Sequence, residues 1–388
     1  MKKKIAIFCG NISTYHCPFF KKLSKKIDII VFFGSDLNVK PEYNSEHNTV
    51  ISYDSDNLLR GYKYKFLKNY FDSPFRRGFL SRINLSLPYE IWKTKPTHII
   101  IYGYDTLSSW ILLFSGKIFN IKIIWRGEAI GGRKNSFLKS LFKKILLKFF
   151  FNFCNYILYA CKQNYDYLVN YNNNKKMHFF PCSVDNDYFK SLYYINMNKV
   201  EHIKKKYNIS NEKILILFVG RITKRKNVIG ILKSYNLLSE YYKNKLEIII
   251  VGSGKEKDDL INYSKINKLN VKFLEFLEHK PLSEVYTISD FFCINSDYDA
   301  SPKVLNEVLN FKTPVISRNT VGTSGDLIIH KYNGFIFKNN KELEAIFINI
   351  VDTFDDLNYL KNNCSKILDK TFNYDFCINN LISITEKN

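Results

Sequence analysis

The feature that most constrains this chain is a short apolar run that recurs and in half of its copies ends in glycine. In the first half it reads KIAIFCG (4–10), IDIIVFFG (27–34), HIIIYG (98–103), KIIWRG (122–127) and YILYA (156–160), with HFFPCSV (178–184) as a last member. A second series reads ILILFVG (214–220), LEIIIVG (246–252), VKFLEF (271–276), FFCIN (291–295), TPVIS (313–317) and GFIF (334–337). A strand with one wet face alternates apolar and polar residues. These runs do not, so both of their faces are buried. Helical stretches near 15–25, 105–119 and 134–152 separate members of the first series, and helices fill the gaps in the second. Strand and helix alternating in this way predict an α/β fold with parallel sheets.

The 388 residues exceed one ordinary core and suit two domains. The polar, lysine-rich segment KSLYYINMNKVEHIKKKYNIS (190–210) lies between the two series and is expected to hold the boundary. The domains are then 1–195 and 200–370, with a C-terminal helix at about 371–388 packing back on the first. The eight cysteines show no CxxC pair and no zinc-ligand spacing, which reads as reduced core thiols. The opening MKKKIAIFCG has an apolar run too short for a secretion signal, so it reads as a buried first strand. No segment has the ~18 apolar residues of a membrane span. The expected location is cytoplasmic, peripheral at the inner face of the plasma membrane.

The net charge is +22, and it is unevenly placed: residues 1–200 carry +18 and residues 201–388 carry +4. The first half therefore faces something anionic, whether a membrane surface, a nucleic acid or an acidic substrate.

Four places in the second half carry chemistry. In FVGRITKRKN (218–227) a buried strand ends in Gly220, and Arg221 and Lys226 follow as two cations able to clamp a diphosphate. IIIVGSGKEKDDL (248–260) places Gly252 and Gly254 at a strand-to-helix turn, half of a dinucleotide fingerprint. EFLEHKPLSEVYTISD (275–290) follows a strand end and says little by itself. In YDASPKVLNEVLNFKTPVIS (298–317), Ser301 reads as an N-cap and Pro302 as the first helical residue. The amides of Lys303 and Val304 would then point out of the helix start as an anion site, with Glu307 four residues past Lys303 and Asp299 ahead of the cap. All four places follow strands at their carboxyl ends, where open α/β sheets bind ligands. Each read alone is also an ordinary turn or a capped helix with a surface acid.

Taken together these segments resemble the retaining GT-B glycosyltransferases of glycosyltransferase family 4. FVGRITKRKN resembles the family's VGR-hydrophobic-x-x-x-K-N/G donor motif, and VGSGKEKDDL its VGxGxxxxxL. The block SDYDASPKVLNEVLNFKTPVISRNTVGTSGDLI with YNGFIF resembles its S-x-x-E-x7-E…G-x-P-V-I…DLI…NGF. HFFPCSVDNDYF (178–189) resembles the VxPNGVDxxxF segment that closes the N-terminal domain. The resemblance implies two Rossmann-like doubly wound domains facing a central cleft, the first binding acceptor and the second binding nucleotide sugar. It implies that Arg221 and Lys226 hold the donor diphosphate and Glu307 the ribose. Asp299 would stand beside the donor sugar, with backbone at Pro302, Lys303 and Val304 on phosphates and sugar, and Phe276 and Leu277 at the base.

Two departures from the family pattern stand out. Asp299 replaces a glutamate and is one methylene shorter. The loop IIWRGEAIGGR (123–133) carries Arg126, Gly127 and Glu128 where many relatives have a histidine. Arg126 and Glu128 then read either as catalytic residues lining the acceptor or donor-sugar side, or as a loop ion pair. Gly10 and Asn11, after the first strand, are expected to face the cleft and contact the donor.

The implied reaction is metal-independent transfer of a hexose-type sugar, with retention, from a nucleotide diphosphate to a saccharide or lipid-linked saccharide. UDP is favoured over GDP, no cofactor is needed, and the setting is bacterial-type envelope polysaccharide such as lipopolysaccharide or capsule. Two other readings keep the fold: a GT-B nucleotide-sugar epimerase and a degenerate nucleotide-sugar-binding protein. A basic nucleic-acid-binding protein has only net charge in its favour, with no recognition-helix, OB or RRM pattern, so no nucleic-acid partner is expected. SFLKSLFKKILLKFFF (136–151) reads either as a helix lying on anionic lipid or as a core helix with a solvated lysine face. FRRGFLSR (75–82) would be a second membrane contact.

Overall fold

The computed structural model describes residues 3–36, 39, 42–44, 49–51, 55–71, 78–131 and 136–386. The strands in chain order are β1 Lys4–Cys9, β2 Asp28–Phe33, β3 Glu42–Asn44, β4 Thr49–Ile51, β5 Lys63–Phe66, β6 His98–Tyr102, β7 Lys122–Gly127, β8 Tyr156–Tyr159 and β9 Met177–Phe179. They continue as β10 Ile214–Val219, β11 Leu246–Val251, β12 Val271–Leu274, β13 Phe291–Ile294, β14 Val315–Arg318 and β15 Gly334–Phe337. The first sheet has the order β5-β2-β1-β6-β7-β8-β9 and the second β12-β11-β10-β13-β14-β15. Every pairing in both is parallel. β3 and β4 form a separate two-stranded sheet.

Most of the apolar runs form inner strands, and each face buries half of them. β9, β12 and β15 lie at sheet edges instead, and β9 and β12 are only half-buried. In β1, Ile5, Ile7 and Cys9 enter one core while Ala6 and Phe8 enter the other. In β10, Ile214, Ile216 and Phe218 pack in one core, and Leu215 and Leu217 are buried as well. The strand β5 escaped the sequence reading. Its KYKF pattern is half lysine, as suits an edge strand whose charges discourage further pairing. β9 is shorter than the run 178–184, because Pro181 lacks the N–H a ladder needs. All eight cysteines are buried.

The chain divides into two compact units, and the division falls earlier than the sequence suggests. One unit holds residues 1–43, 50–181 and 374–388; the other holds 44–49 and 182–373. The expected boundary near 195–200 is corrected to Pro181/Cys182. The segment read as a polar break is two helices of the second unit, Asn186–Met197 and Val200–Lys206. They looked like a linker because each buries only a narrow stripe, Phe189, Leu192 and Asn196 in one and Ile203 in the other. The last helix, Tyr374–Glu386, belongs to the first unit, where Tyr374, Cys377, Ile378, Leu381 and Ile384 join the core beneath β1 and β2.

Candidate functional site

The strand order of the second sheet reverses between β10 and β13, so the chain leaves these neighbouring strands in opposite directions and opens a crevice at their carboxyl ends. The loop after β10 runs Gly220-Arg221-Ile222-Thr223, then a single turn Lys224–Lys226, then Asn227 in the left-handed region at φ 47°. That kink turns Lys226 inward, and the residue is only 9% exposed. Its ammonium meets the Asp299 carboxylate from the loop after β13. Arg225 Nη1 stands 3.8 Å from the same carboxylate and donates to the Tyr298 carbonyl. Lys226 and Asp299 were assigned to different parts of one ligand; the structure joins them directly across the switch point.

The neighbouring loops are stitched by backbone. Gly220 N donates to Val251 O at 3.0 Å, Ile222 N to Ser253 O at 2.8 Å and Gly252 N to Leu274 O at 3.0 Å. Gly252 is required here: its φ is 138°, and a Cβ would come 2.1 Å from the Gly220 carbonyl oxygen. Arg221 is therefore carried on a loop held from beneath. Phe276, 40% exposed, and the half-buried Leu277 follow β12.

On the other side, the Asp299 carbonyl accepts from Gly322 N at 2.7 Å, and Thr320 Oγ1 donates to Ser296 O at 2.6 Å. Ser296, Ser301 and Thr323 lie buried in these two loops, each with a hydroxyl that has no hydrogen-bond partner among the described residues.

The helix after β13 differs from the sequence reading by one residue. It spans Lys303–Leu309, and Pro302 occupies the N-cap with ψ 115°. The Pro302 side chain carries no acceptor, so no side chain caps this start, and Ser301 makes no cap bond. The expected first helical residue is thus the cap itself, and Lys303 and Val304 are the first two helical residues. Proline's ring fixes φ but leaves ψ free to remain extended. The helix has 7 residues, too short for a strong macrodipole.

Glu307 is 3% exposed and its Oε2 accepts from the Tyr286 hydroxyl at 2.8 Å. Tyr286 lies on the helix His279–Ile288 and is fully buried. The sequence reading passed over it. The available signal was a tyrosine in phase with Leu282 and Val285 on an apolar stripe, since a buried phenol needs a partner. Burial foremost, then the carboxylates of Asp185 and Glu307, raises the Tyr188 phenol above its ordinary pKa. Asn306 and Asn310 on the Glu307 helix donate to Cys182 O and Asn186 Oδ1, both at 3.0 Å, and so fix it against the start of the same unit.

The first-unit candidates are differently placed. A Cβ at Gly10 would meet nothing within 4 Å, and Asn11 Oδ1 accepts from Arg82 Nη2 at 2.6 Å. Arg126 does not line a surface: it is 4% exposed, donates to Gly127 O at 2.8 Å and lies 5.5 Å from the centre of the Phe180 ring. The cause is its place in β7, an inner strand covered on both faces. Glu128, 3.8 Å from the Arg126 guanidinium, has a side chain 32% exposed. A cavity of about 450 Å³ in the second unit, lined by Lys204, Asp290, Lys312 and Lys361, lies at the amino end of β13, away from all of these residues.

The chain is similar to known proteins in sequence and fold. Residues 199–366 match the family model described as Glycosyl transferases group 1. The Alpha-monoglucosyldiacylglycerol synthase of Acholeplasma laidlawii is 25% identical over 214 residues, covering 54% of this chain and 52% of that protein. The match thus spans about half the length of that curated relative. A solved glycosyltransferase from Rickettsia africae ESF-5 superposes with a TM-score of 0.75 at 16% identity, over 100% of this chain and 98% of that one. HepE of Anabaena, solved in complex with UDP, superposes with a TM-score of 0.73 at 14% identity, over 99% of both chains. The fold is α/β, with two Rossmann-like parallel-sheet domains of the GT-B type. The family match and the relatives support a glycosyltransferase.

Proposed function

We propose that this chain is a retaining glycosyltransferase that moves a hexose-type sugar from a nucleoside diphosphate to a saccharide or lipid-linked saccharide acceptor. The observation that carries the reading is the Lys226–Asp299 pair at the switch point of the second sheet, inside the stretch 199–366 that matches the transferase model. A uridine nucleotide is favoured, because a neighbour of the same fold is solved with UDP. A lipid-linked acceptor is favoured, because a relative is named for transfer to a diacylglycerol lipid. Envelope polysaccharide synthesis is the setting we assign, and acceptor recognition falls to the first unit.

In the reaction the bond from the anomeric carbon to the diphosphate oxygen breaks, and its electron pair stays on the diphosphate. The acceptor oxygen bonds the same face of the sugar, and the acceptor proton passes to the leaving phosphate. Charge grows on the diphosphate as the sugar becomes oxocarbenium-like. Arg221 and Lys226 answer that charge from positions set before the donor arrives, which is where electrostatic catalysis gains most. Asp299 holds the Lys226 ammonium at the crevice and presents its second oxygen to the donor sugar. Glu307 receives the ribose hydroxyls, and Tyr286 fixes its orientation. Ser301 and Thr323 offer hydroxyls to the same ligand, Phe276 and Leu277 flank the base, and Glu128 remains the acid assigned to the acceptor side. Arg126 is left to position Glu128.

The test is calorimetry and thermal shift with a panel of UDP- and GDP-sugars on wild type, Glu307→Ala and Tyr286→Phe. One nucleotide sugar should bind wild type. Glu307→Ala should abolish that binding, and Tyr286→Phe should weaken it by about tenfold, the worth of one hydrogen bond to a charged group. Binding by no member of the panel would overturn the donor assignment. Release of free nucleotide with no acceptor requirement would replace transfer with epimerase chemistry.

A further inference from the structure

The helix Phe137–Phe153 resolves the two readings of its sequence in an unexpected way. Its core contacts are made by Leu147, Phe150 and Phe151, all buried. The stripe that the helical spacing picks out faces outward instead: Leu138 is 76% exposed, Phe142 65% and Ile145 60%. The helix thus has two apolar sides, and the core uses only one.

The outer side continues onto its neighbours. Phe149, also exposed, stacks on Trp110 of the helix Leu107–Ile118, with ring centres 6.3 Å apart and planes within 9°. Phe114 of that helix is exposed and lies 6.4 Å from Phe149, and Ile118, one turn on, is 77% exposed. Phe79, exposed in the short turn Phe79–Ser81, meets Trp110 edge-on at 6.5 Å. Scattered surface hydrophobics need no explanation, but a continuous patch spread over three elements does.

The charges that the helix itself carries have one sign. Residues 129–165 contain no Asp or Glu, and Lys144 and Lys148 stand exposed among the apolar residues. Lys117 sets its ammonium over the Phe153 ring, 5.3 Å from the centre. Cations set among exposed apolar side chains suit a lipid–water interface.

We propose that the first unit docks on an anionic lipid surface through this face, with the helix Phe137–Phe153 lying in the headgroup plane. Its 17 residues would run about 25 Å along the membrane. A second copy of the chain is disfavoured as occupant, because a two-fold contact would bring one lysine-bearing helix, without acids of its own, against another. A nucleic acid is disfavoured because leucines and isoleucines dominate the most exposed positions and offer no plane for bases. Of the expected second contact at 75–82, Phe79 and Leu80 are exposed, and residues 72–77 lie outside the described residues. The docking face is independent of the proposed diphosphate and ribose contacts, since Arg221, Lys226, Asp299 and Glu307 lie in the other unit.

The test is flotation of the full chain with vesicles of phosphatidylcholine alone and of phosphatidylcholine with about 30% phosphatidylglycerol, at low and high salt. Retention should require the anionic lipid and fall at high salt. Phe142→Ser with Ile145→Ser should cut it by about tenfold or more. These side chains are exposed, so nucleotide-sugar binding and thermal stability should stay unchanged. Lys144→Glu with Lys148→Glu, which leaves the apolar side chains intact, should also release the protein. Equal retention of wild type and both double variants, or no preference for anionic lipid, would overturn the proposal. A concentration-dependent dimer that Phe142→Ser with Ile145→Ser dissociates, without vesicle binding, would assign the face to a second copy.

Discussion

Lys226 and Asp299 are 73 residues apart, and each is largely buried at the point where the other stands. Removing one would leave a buried charge without its partner. The residues themselves were legible, because a strand-end glycine followed by two cations is a local pattern. Their pairing was not, since it depends on β10 and β13 being neighbours in the sheet. Tyr286 was missed for the same reason: its partner Glu307 is 21 residues away, and the local pattern marks the phenol as buried but not what it bonds. Arg126 was legible as an unusual residue, but not as a buried one. His98 supplies a test at this scale. It opens β6 at 4% exposure, and burial first, then Lys122 and Lys3, lowers its pKa to about 4. The unfolded value is near 6.5, so the unfolded chain binds the proton first as pH falls. The contribution of neutral His98 is whole above about pH 6.5 and is lost toward pH 4, with a slope of at most about 1.4 kcal/mol per pH unit. Urea titrations of wild type and His98→Gln between pH 4 and 7.5 should show the stability difference shifting against wild type across that window. A difference independent of pH would rule this out.

Among the elements, the βα loops are held more firmly than their length suggests. Three backbone hydrogen bonds link the loops after β10, β11 and β12, and close approach of backbone at Gly252 makes the stacking feasible. Gly252→Ala should destabilise the second unit by about 3 kcal/mol or more, since a Cβ meets a carbonyl rather than a flexible side chain. A chemical melt measures this, and a cost below about 1 kcal/mol would mean that the loops part easily. The glycine was legible in the sequence, but not the carbonyl it accommodates, which comes from the loop of another strand. The helix Phe137–Phe153 teaches the converse. Its periodicity correctly marked an apolar stripe, yet periodicity cannot say whether a stripe faces a core or the outside, and Leu147, Phe150 and Phe151 took the core instead.

For the molecule as a whole, the chain enters its second unit at Cys182 and returns to the first at Tyr374. The last helix completes the core under β1 and β2, and Tyr374 donates its hydroxyl to the Tyr15 carbonyl at 2.8 Å. Truncation after Asn373 should therefore unfold the unit that holds the opposite end of the chain. Each lost Ile or Leu is worth about 2–5 kcal/mol, against a total stability of about 5–15 kcal/mol. Hydrogen exchange reads the two units separately: β1 and β2 should lose protection while β10 and β11 keep theirs. Retained protection in β1 would refute the dependence.

The sequence by itself determined the inner strands, their burial on both faces, the parallel α/β class and the chain positions of Arg221, Lys226, Asp299 and Glu307. Each of these follows from interactions within a few residues, or from a period of two or 3.6. The tertiary structure alone decided which loop meets which, where the chain crosses between units, that Tyr286 holds Glu307, and which side of a two-sided apolar helix stays uncovered. Those outcomes depend on strand order and packing between segments far apart in the chain, and no local pattern encodes a partner that another segment brings.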